Sequence, residues 1–176
     1  GDFSKIPEVT LSDSSKYGTS VNSVKVTQPT KLNSGDEIYF GTHNSIYRII
    51  YTPMVVVTSC LENSKKKLLK KQIHSLGGHL VNEWRSGYVT HLVMDGLVFT
   101  IKVIHALAEC CHIVTPNLFD EIMKACQTKQ SLPITKMFLP PLKEESIKSD
   151  EPLFLPDNKR KTLFSGKMFF FLSRKQ

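Results

Sequence analysis

Met54-Val55-Val56-Val57 is an uninterrupted apolar run, and this stretch decides the fold of the second half of the chain. A strand that is buried on both faces has this composition, because neither face meets solvent. Beyond it, helical and extended patterns alternate as far as Ala125. Strands that alternate with helices are typical of a parallel sheet covered by helices. We therefore predict a small α/β domain over residues 54–126.

The first predicted helix of this domain begins at Asn63 or Ser64, either of which is a favourable N-cap residue. It ends at Leu76, because the following Gly77-Gly78 favours a left-handed C-terminal cap. The side predicted to face the core carries the apolar residues Leu68, Leu69, Ile73 and Leu76. The other side carries the basic residues Lys65, Lys66, Lys67, Lys70 and Lys71.

Further strands are predicted at 79–81, 90–94 and 112–115, where short apolar segments recur. A second helix is predicted to start near Thr100. Its core-facing side is predicted from apolar residues at helical spacing, namely Ile101, Ile104, Leu107, Ala108 and Cys111. A third helix is predicted over 117–125, with Pro116 at its first position.

The two ends of the chain have different compositions. Residues 1–53 contain short β-branched and aromatic segments separated by Gly, Asn, Asp and Pro, which predicts an all-β region. Residues 127–162 are rich in Lys, Glu, Ser and Pro and predict a linker or a loosely held connection. Residues 163–172 have the pattern of a turn followed by a very apolar strand.

The middle segment resembles a BRCT domain. The landmarks are the strand 55–58, Gly77-Gly78, Thr90-His91-Leu92-Val93-Met94, Thr100-Ile101-Lys102 and Ile113-Val114-Thr115-Pro116, in this order. Phe119 stands where many BRCT domains carry Trp. The resemblance implies a four-stranded parallel sheet with three helices over 54–126, a linker over 127–162, and the first strand of a second BRCT domain within 163–176.

The first segment, 1–53, resembles the C-terminal part of an FHA β-sandwich. Two stretches carry this resemblance, Ser15-Lys16-Tyr17-Gly18-Thr19-Ser20-Val21-Asn22 and Leu32-Asn33-Ser34-Gly35-Asp36-Glu37-Ile38-Tyr39-Phe40-Gly41. The order FHA–BRCT–BRCT is similar to that of phosphoprotein-binding adaptors in the DNA double-strand-break response. It implies a nuclear, non-catalytic adaptor whose partners are phosphorylated checkpoint scaffold proteins and chromatin. It further implies that a repair nuclease–ATPase complex and a checkpoint kinase bind through regions outside this chain, which we expect to be an internal fragment.

The BRCT resemblance implies a phosphate-binding site at Ser59, Cys60 and Lys102, with Thr100 beside it. In that family a hydroxyl after the first strand, a neighbouring backbone N–H and a Lys of the second helix bind phosphoserine. Cys60 replaces the usual Gly, and we expect its Cβ to require an ordinary φ and to crowd the phosphate. The alternative is that Ser59 ends a strand and Lys102 is a solvated lysine. The BRCT framework favours the phosphate-binding interpretation.

The FHA resemblance places Ser15, Lys16 and Tyr17 in a phosphopeptide-contacting loop, with Lys16 as the phosphate contact. Tyr17 replaces an Asn that often holds the peptide backbone in that family. The family's decisive Arg, Ser and His have no counterpart in this chain. The alternative is a plain β-turn in which Gly18 supplies a permissive φ and Asn22 holds the strand start. For this fragment we favour the turn.

Composition and short motifs limit the partners, cofactors and activities that the chain is expected to have. The net charge is +7, and residues 128–176 carry ten basic and five acidic side chains, so acidic partners are favoured. Cys60, Cys110, Cys111 and Cys126 indicate a reducing compartment with buried thiols. Metal-ligand spacings, nucleophile motifs and Gly-rich phosphate loops are missing, so we predict no metal, no cofactor and no enzymatic activity. No apolar run reaches eighteen residues, so no membrane contact is predicted.

Three alternatives remain open for the function. The basic helix face could make the chain a DNA-end-binding module, although direct DNA contact is not decided by sequence. The BRCT segment could be an appendage of a repair enzyme such as a ligase, which the FHA signature disfavours. It could also be a structural domain that orients its neighbour. Lys159-Arg160-Lys161 fits a nuclear localisation signal and ordinary linker equally well.

Overall fold

The structure is a computed structural model, and it describes residues 8–42, 45–144 and 151–170. The chain divides into two compact units, residues 1–53 and residues 54–176. In the part of the chain that is described, no helix is long and apolar enough to cross a membrane.

The first unit is all-β, as predicted. Its strands are β1 (Val9–Leu11), β2 (Thr19–Val21), β3 (Val24–Lys25), β4 (Thr30–Leu32), β5 (Glu37–Phe40) and β6 (Ser45–Arg48). β1 pairs with β4, and the other four form an antiparallel sheet in the order β3-β2-β5-β6. Its small core consists of Val21, Val26, Leu32 and Ile38.

The second unit contains the predicted parallel sheet. Its strands are β7 (Val55–Thr58), β8 (His79–Val81), β9 (His91–Val93) and β10 (His112–Val114), in the order β10-β9-β7-β8. All three pairings are parallel. The helices are α1 (Asn63–Ser75), α2 (Ile101–Glu109) and α3 (Asn117–Thr128). The fold class read from the sequence is therefore confirmed.

The core of the second unit explains why the apolar run 54–57 was informative. All four residues of β7 are buried, because this strand lies inside the sheet. Val56 packs in a cluster with Leu69 and Ile73 of α1 and with Leu118 and Phe119 of α3. Phe119 is fully buried, so it occupies the core at the position where many BRCT domains carry Trp.

The ends of α1 are only partly as predicted. The helix begins at Asn63 after Glu62, and neither Asn63 nor Ser64 caps it through a side chain. At the other end, Gly77 has a φ of 77°. The N–H groups of Gly77 and Gly78 donate to the carbonyls of His74 and Ile73, which forms a Schellman motif.

The apolar faces of two helices were partly mispredicted. In α2, Ile101 and Ile104 are exposed, whereas Val103 and Ala106 are buried. This helix is apolar at most positions, so two stripes satisfy the helical period and sequence cannot choose between them. In α1, Leu69 and Ile73 are buried as expected, but Leu68 is exposed.

The expectation of buried thiols is wrong for two cysteines. Cys111 is buried and donates its S–H to the Val89 carbonyl at 2.9 Å. Cys110 is half-buried, while Cys60 and Cys126 are exposed. All four thiols are free. Cys60 is exposed because it follows the end of β7, where the chain turns away from the sheet.

The described parts of 127–162 pack on the second unit instead of forming a loose linker. α3 continues to Thr128, and a 3₁₀ turn at Thr135–Phe138 lies against β10. Leu142 forms a parallel bridge with Leu97. Phe154 is buried and its ring contacts that of Phe99. Apolar residues within the Pro-rich segment provide these contacts, and the boundaries at 126 and 162 stay a prediction.

The strand predicted over 163–172 is not formed in its described part. Residues 163–170 form turns and extended coil, and residues 171–172 lie outside the described residues. Phe164, Met168 and Phe169 are exposed there. A strand needs a neighbour that accepts and donates its ladder hydrogen bonds, and residues 163–170 pair with no other described strand. That this segment begins a second BRCT domain stays a prediction.

Candidate phosphate-binding site

The predicted site residues of the second unit meet at one edge of the parallel sheet. Ser59 follows β7 directly, and its N–H donates to the Val93 carbonyl at 3.0 Å. Its Oγ lies 3.2 Å from the Oγ1 of Thr100, the residue that precedes α2. The carboxyl ends of parallel strands form the edge where ligands commonly bind. Two hydroxyls from distant parts of the chain thus lie side by side.

Thr100 also begins α2. Its side-chain oxygen accepts a hydrogen bond from the Val103 N–H, so it is the N-cap residue. The first N–H groups of a helix have no partner within the helix, and they give this end a partial positive charge. The hydroxyl pair therefore lies at a helix end that favours anions.

Lys102 projects into the same place. Its Nζ donates to the carbonyl oxygens of Thr58 and Asn82, both at 2.8 Å. An ammonium group has three hydrogens, so one remains for a ligand. Burial lowers the pKa of Lys102, and the charge of Lys66 lowers it further. The two carbonyl oxygens that hold the ammonium are neutral, so they orient it without neutralising its charge.

Cys60 has a backbone conformation that the sequence did not predict. Its φ is 49°, in the left-handed region that favours Gly. The expectation that its Cβ requires an ordinary φ is therefore wrong. The turn after β7 imposes on Cys60 the conformation that Gly adopts most readily, and its side chain is exposed there.

Lys66 lies next to these residues, which the sequence did not predict. Its Nζ donates to the Asn82 side-chain oxygen at 3.0 Å, while Lys102 binds the backbone carbonyl of the same residue. The sequence pattern places Lys66 only on the basic side of α1. Its position in the first turn of the helix that follows β7 was the available signal, because that turn starts at the same sheet edge.

The matches to known proteins agree with this fold. A model of the Regulator of Ty1 transposition protein 107 BRCT domain matches residues 42–140, and an FHA domain model matches residues 2–41. The chain belongs to the BRCT domain family. The parallel sheet and the helices α1, α2 and α3 are therefore those of a BRCT fold, and FHA-like strands precede them.

Relatives extend the match beyond the BRCT domain. Nibrin from Gallus gallus is 42% identical over 172 residues, which cover 97% of this chain and 23% of that protein. Nibrin from Danio rerio is 44% identical over 170 residues, or 96% of this chain and 21% of that protein. The chain thus spans less than a quarter of these relatives' length. The predicted similarity to proteins that combine an FHA domain with a BRCT domain is confirmed.

A solved structure supports the same fold. The structure of the S. pombe Nbs1 FHA/BRCT-repeat domain has a TM-score of 0.52 to this chain, with 17% identity. The match covers 69% of this chain and 40% of the S. pombe chain. At this identity the likeness concerns the fold alone.

The loop of the first unit that carries Ser15, Lys16 and Tyr17 is organised internally. The Asp13 carboxylate accepts from the N–H groups of Ser15 and Thr19 and from the Thr19 hydroxyl. Ser15 Oγ accepts from the Gly18 N–H at 3.0 Å. Lys16 Nζ lies 5.5 Å from the centre of the Tyr17 ring. These contacts are those of a self-contained turn, and a peptide-binding role for this loop stays a prediction.

The remaining basic residues are in varied surroundings. Lys65 forms an ion pair with Asp95 at 2.9 Å, while Lys67, Lys70 and Lys71 are exposed. In the basic triplet, Arg160 donates to the carbonyls of Leu155 and Leu153. That arginine therefore stabilises the fold. DNA binding by the helix and a localisation role for the triplet stay predictions.

His91 is a half-buried residue of β9. Its ring stacks on that of His112 and contacts Phe119 edge-on, and its Nδ1 lies 2.8 Å from the Thr90 hydroxyl oxygen. Burial, and then the charge of His112, lowers the pKa of His91 to about 4. Among the described residues, no group of three or more His, Cys, Asp or Glu side chains could hold a metal ion.

Proposed function

We propose that this chain is a non-catalytic, phosphoprotein-binding module of the DNA double-strand-break response, and that its BRCT site binds phosphoserine. The observation that carries the proposal is the environment of Lys102. Its ammonium group is held by two carbonyl oxygens at a helix N-terminus, beside the hydroxyls of Ser59 and Thr100. A phosphate there would accept charge-assisted hydrogen bonds from donors already in position.

The proposed contacts follow from the positions of the donors. The Ser59 and Thr100 hydroxyls and the Cys60 N–H bind phosphate oxygens, and Lys102 contributes its third hydrogen. The similarity to nibrin supports the biological setting. In that setting the partners are phosphorylated checkpoint scaffold proteins on chromatin in the nucleus. A repair nuclease–ATPase complex and a checkpoint kinase would be recruited through regions outside this chain.

The test replaces Lys102 by Met in the intact protein and measures binding to a degenerate phosphoserine peptide library and to its unphosphorylated counterpart. We expect affinity for the phosphorylated peptides to fall at least tenfold, because a hydrogen bond to a charged group is worth about 1.5–3 kcal/mol. Lys67→Met is the matched control, since it removes an equal charge from an exposed position on α1. Unchanged affinity in Lys102→Met would remove this lysine from the site.

A further inference from the structure

Two ammonium groups converge on a single residue at the sheet edge. Lys102 of α2 donates to the backbone oxygen of Asn82, and Lys66 of α1 donates to its side-chain oxygen. Asn82 immediately follows β8, which pairs in parallel with β7. Like charges repel, and an acceptor that both lysines share offsets part of this repulsion. Asn82 is that acceptor.

The shared acceptor is an uncharged amide, and this determines how much positive charge the two lysines keep. An amide oxygen orients an ammonium group without cancelling its charge, whereas a carboxylate would neutralise it. Among the described residues, neither Lys66 nor Lys102 forms an ion pair with a carboxylate. Lys65, one position earlier, is paired with Asp95. The Glu83 carboxylate and the Cys60 thiol lie near Lys102, since both affect its titration, but neither forms an ion pair with it.

We propose that Asn82 is a positioning residue that holds Lys66 beside Lys102, so that two ammonium groups act together on one doubly charged phosphate. This proposal rests on the proposed function and adds to it. It assigns Lys66 to the binding site, and it makes the site selective for a phosphate dianion over singly charged groups. A carboxylate that imitates phosphoserine carries one charge and gains less from the second lysine.

The test uses the full chain, isotopically labelled, and free phosphoserine as the probe. Binding is followed through the amide signals of Ser59, Cys60 and Lys102. It is measured at about pH 7.5 and about pH 5, because the second pKa of a phosphoserine is about 6 and the probe changes from dianion to monoanion. The variants are Lys66→Met, Lys66→Arg, Asn82→Ala and Asn82→Asp, with Lys67→Met as the control.

We expect Lys66→Met and Asn82→Asp to weaken binding of the dianion roughly tenfold, and Asn82→Ala to weaken it roughly threefold. Binding at the lower pH should change much less, so the preference for the dianion should shrink in all three. Lys66→Arg keeps the charge and should retain most of the affinity. A purely structural role of Asn82 would lower thermal stability but would leave the preference for the dianion intact.

The outcomes separate the two proposals. If the wild type binds and Lys102→Met does not, while Lys66→Met and Asn82→Asp bind like the wild type, the positioning role is wrong and the phosphate site stands. If the wild type shows no response at these amides, the phosphate site fails, and the positioning role fails with it. If an Asn82 variant does not fold, Lys66→Met decides, because it alters a half-exposed helix residue.

Discussion

The Asp13 loop of the first unit and the Ser59–Lys102 edge of the second unit contain similar residues in opposite electrostatic settings. Both combine a serine, a second hydroxyl and a lysine near a tight turn. In the loop, the Asp13 carboxylate accepts hydrogen bonds from the N–H groups of Ser15 and Thr19 and from the Thr19 hydroxyl. At the sheet edge, carbonyl and amide oxygens hold the lysines, and no carboxylate completes an ion pair with them in the part that the structure describes.

The difference shows why residue types alone do not define an anion site. A donor contributes to binding only if its own partner leaves it free to bind a ligand. Hydrogen bonds from Ser15 and Thr19 hold the pKa of Asp13 below its usual value, so this carboxylate stays charged in the turn. A phosphate approaching the loop meets that negative charge. A phosphate approaching the sheet edge meets positive charge.

The largest predicted difference between the units is their response to acid. The pKa of His91 is lowered to about 4 from 6.5, so the unfolded chain binds its proton more tightly than the folded one. The stability that neutral His91 contributes is complete above pH 6.5 and is lost as the pH falls towards 4. We expect a loss of about 3 kcal/mol over this interval, since one pKa unit corresponds to about 1.4 kcal/mol. Half-buried His112, whose pKa burial also lowers, acts in the same direction.

The first unit should respond at lower pH. The pKa values of Asp13, Asp36 and Glu37 are lowered by hydrogen bonds, so their contribution is present at neutral pH and is lost only as these carboxylates protonate. Fluorescence of Trp84, the chain's single Trp, reports on the second unit, and amide signals of β2 and β5 report on the first. His91→Leu should shift the acid transition of the second unit to lower pH. An unshifted transition in that variant would exclude His91 as its cause.

The sequence predicted those structural features that depend on only a few neighbouring residues. The run 54–57, the Gly77 cap and Phe119 follow from burial on both faces, from a left-handed φ and from core volume, and each is read within a few residues. The shared acceptor Asn82 could not be predicted in this way. Its contact with Lys66 spans sixteen residues and depends on the register between β7 and β8.

The second prediction concerns the carboxylate that organises the loop. Asp13→Ala removes the acceptor of the Ser15 and Thr19 N–H groups. Amide hydrogen exchange at these positions should accelerate roughly tenfold, the scale expected for one lost net hydrogen bond. Exchange of the Ser59 amide, whose N–H donates to Val93, serves as the internal control and should not change. Equal protection of the loop in both proteins would mean that the turn is held by Gly18 and the strand ladder alone.

The last comparison between the two regions concerns backbone strain, and its smallest effect is expected at Cys60. Gly18 of the loop has a φ of 82°, and Cys60 at the sheet edge has a φ of 49°. Gly18→Ala should destabilise the first unit by about 1–2 kcal/mol, because a Cβ is disfavoured at this φ, and that Cβ would lie 3.2 Å from Lys25 Cε.

Cys60→Gly relieves the corresponding strain at the sheet edge but adds entropy to the unfolded chain. The net gain should therefore stay below about 1 kcal/mol. Urea unfolding of both variants measures these changes, and Cys60→Ala, which keeps the Cβ, is the control. If Cys60→Gly is less stable than Cys60→Ala by the full entropic cost of a glycine, the left-handed φ at this position carries no strain.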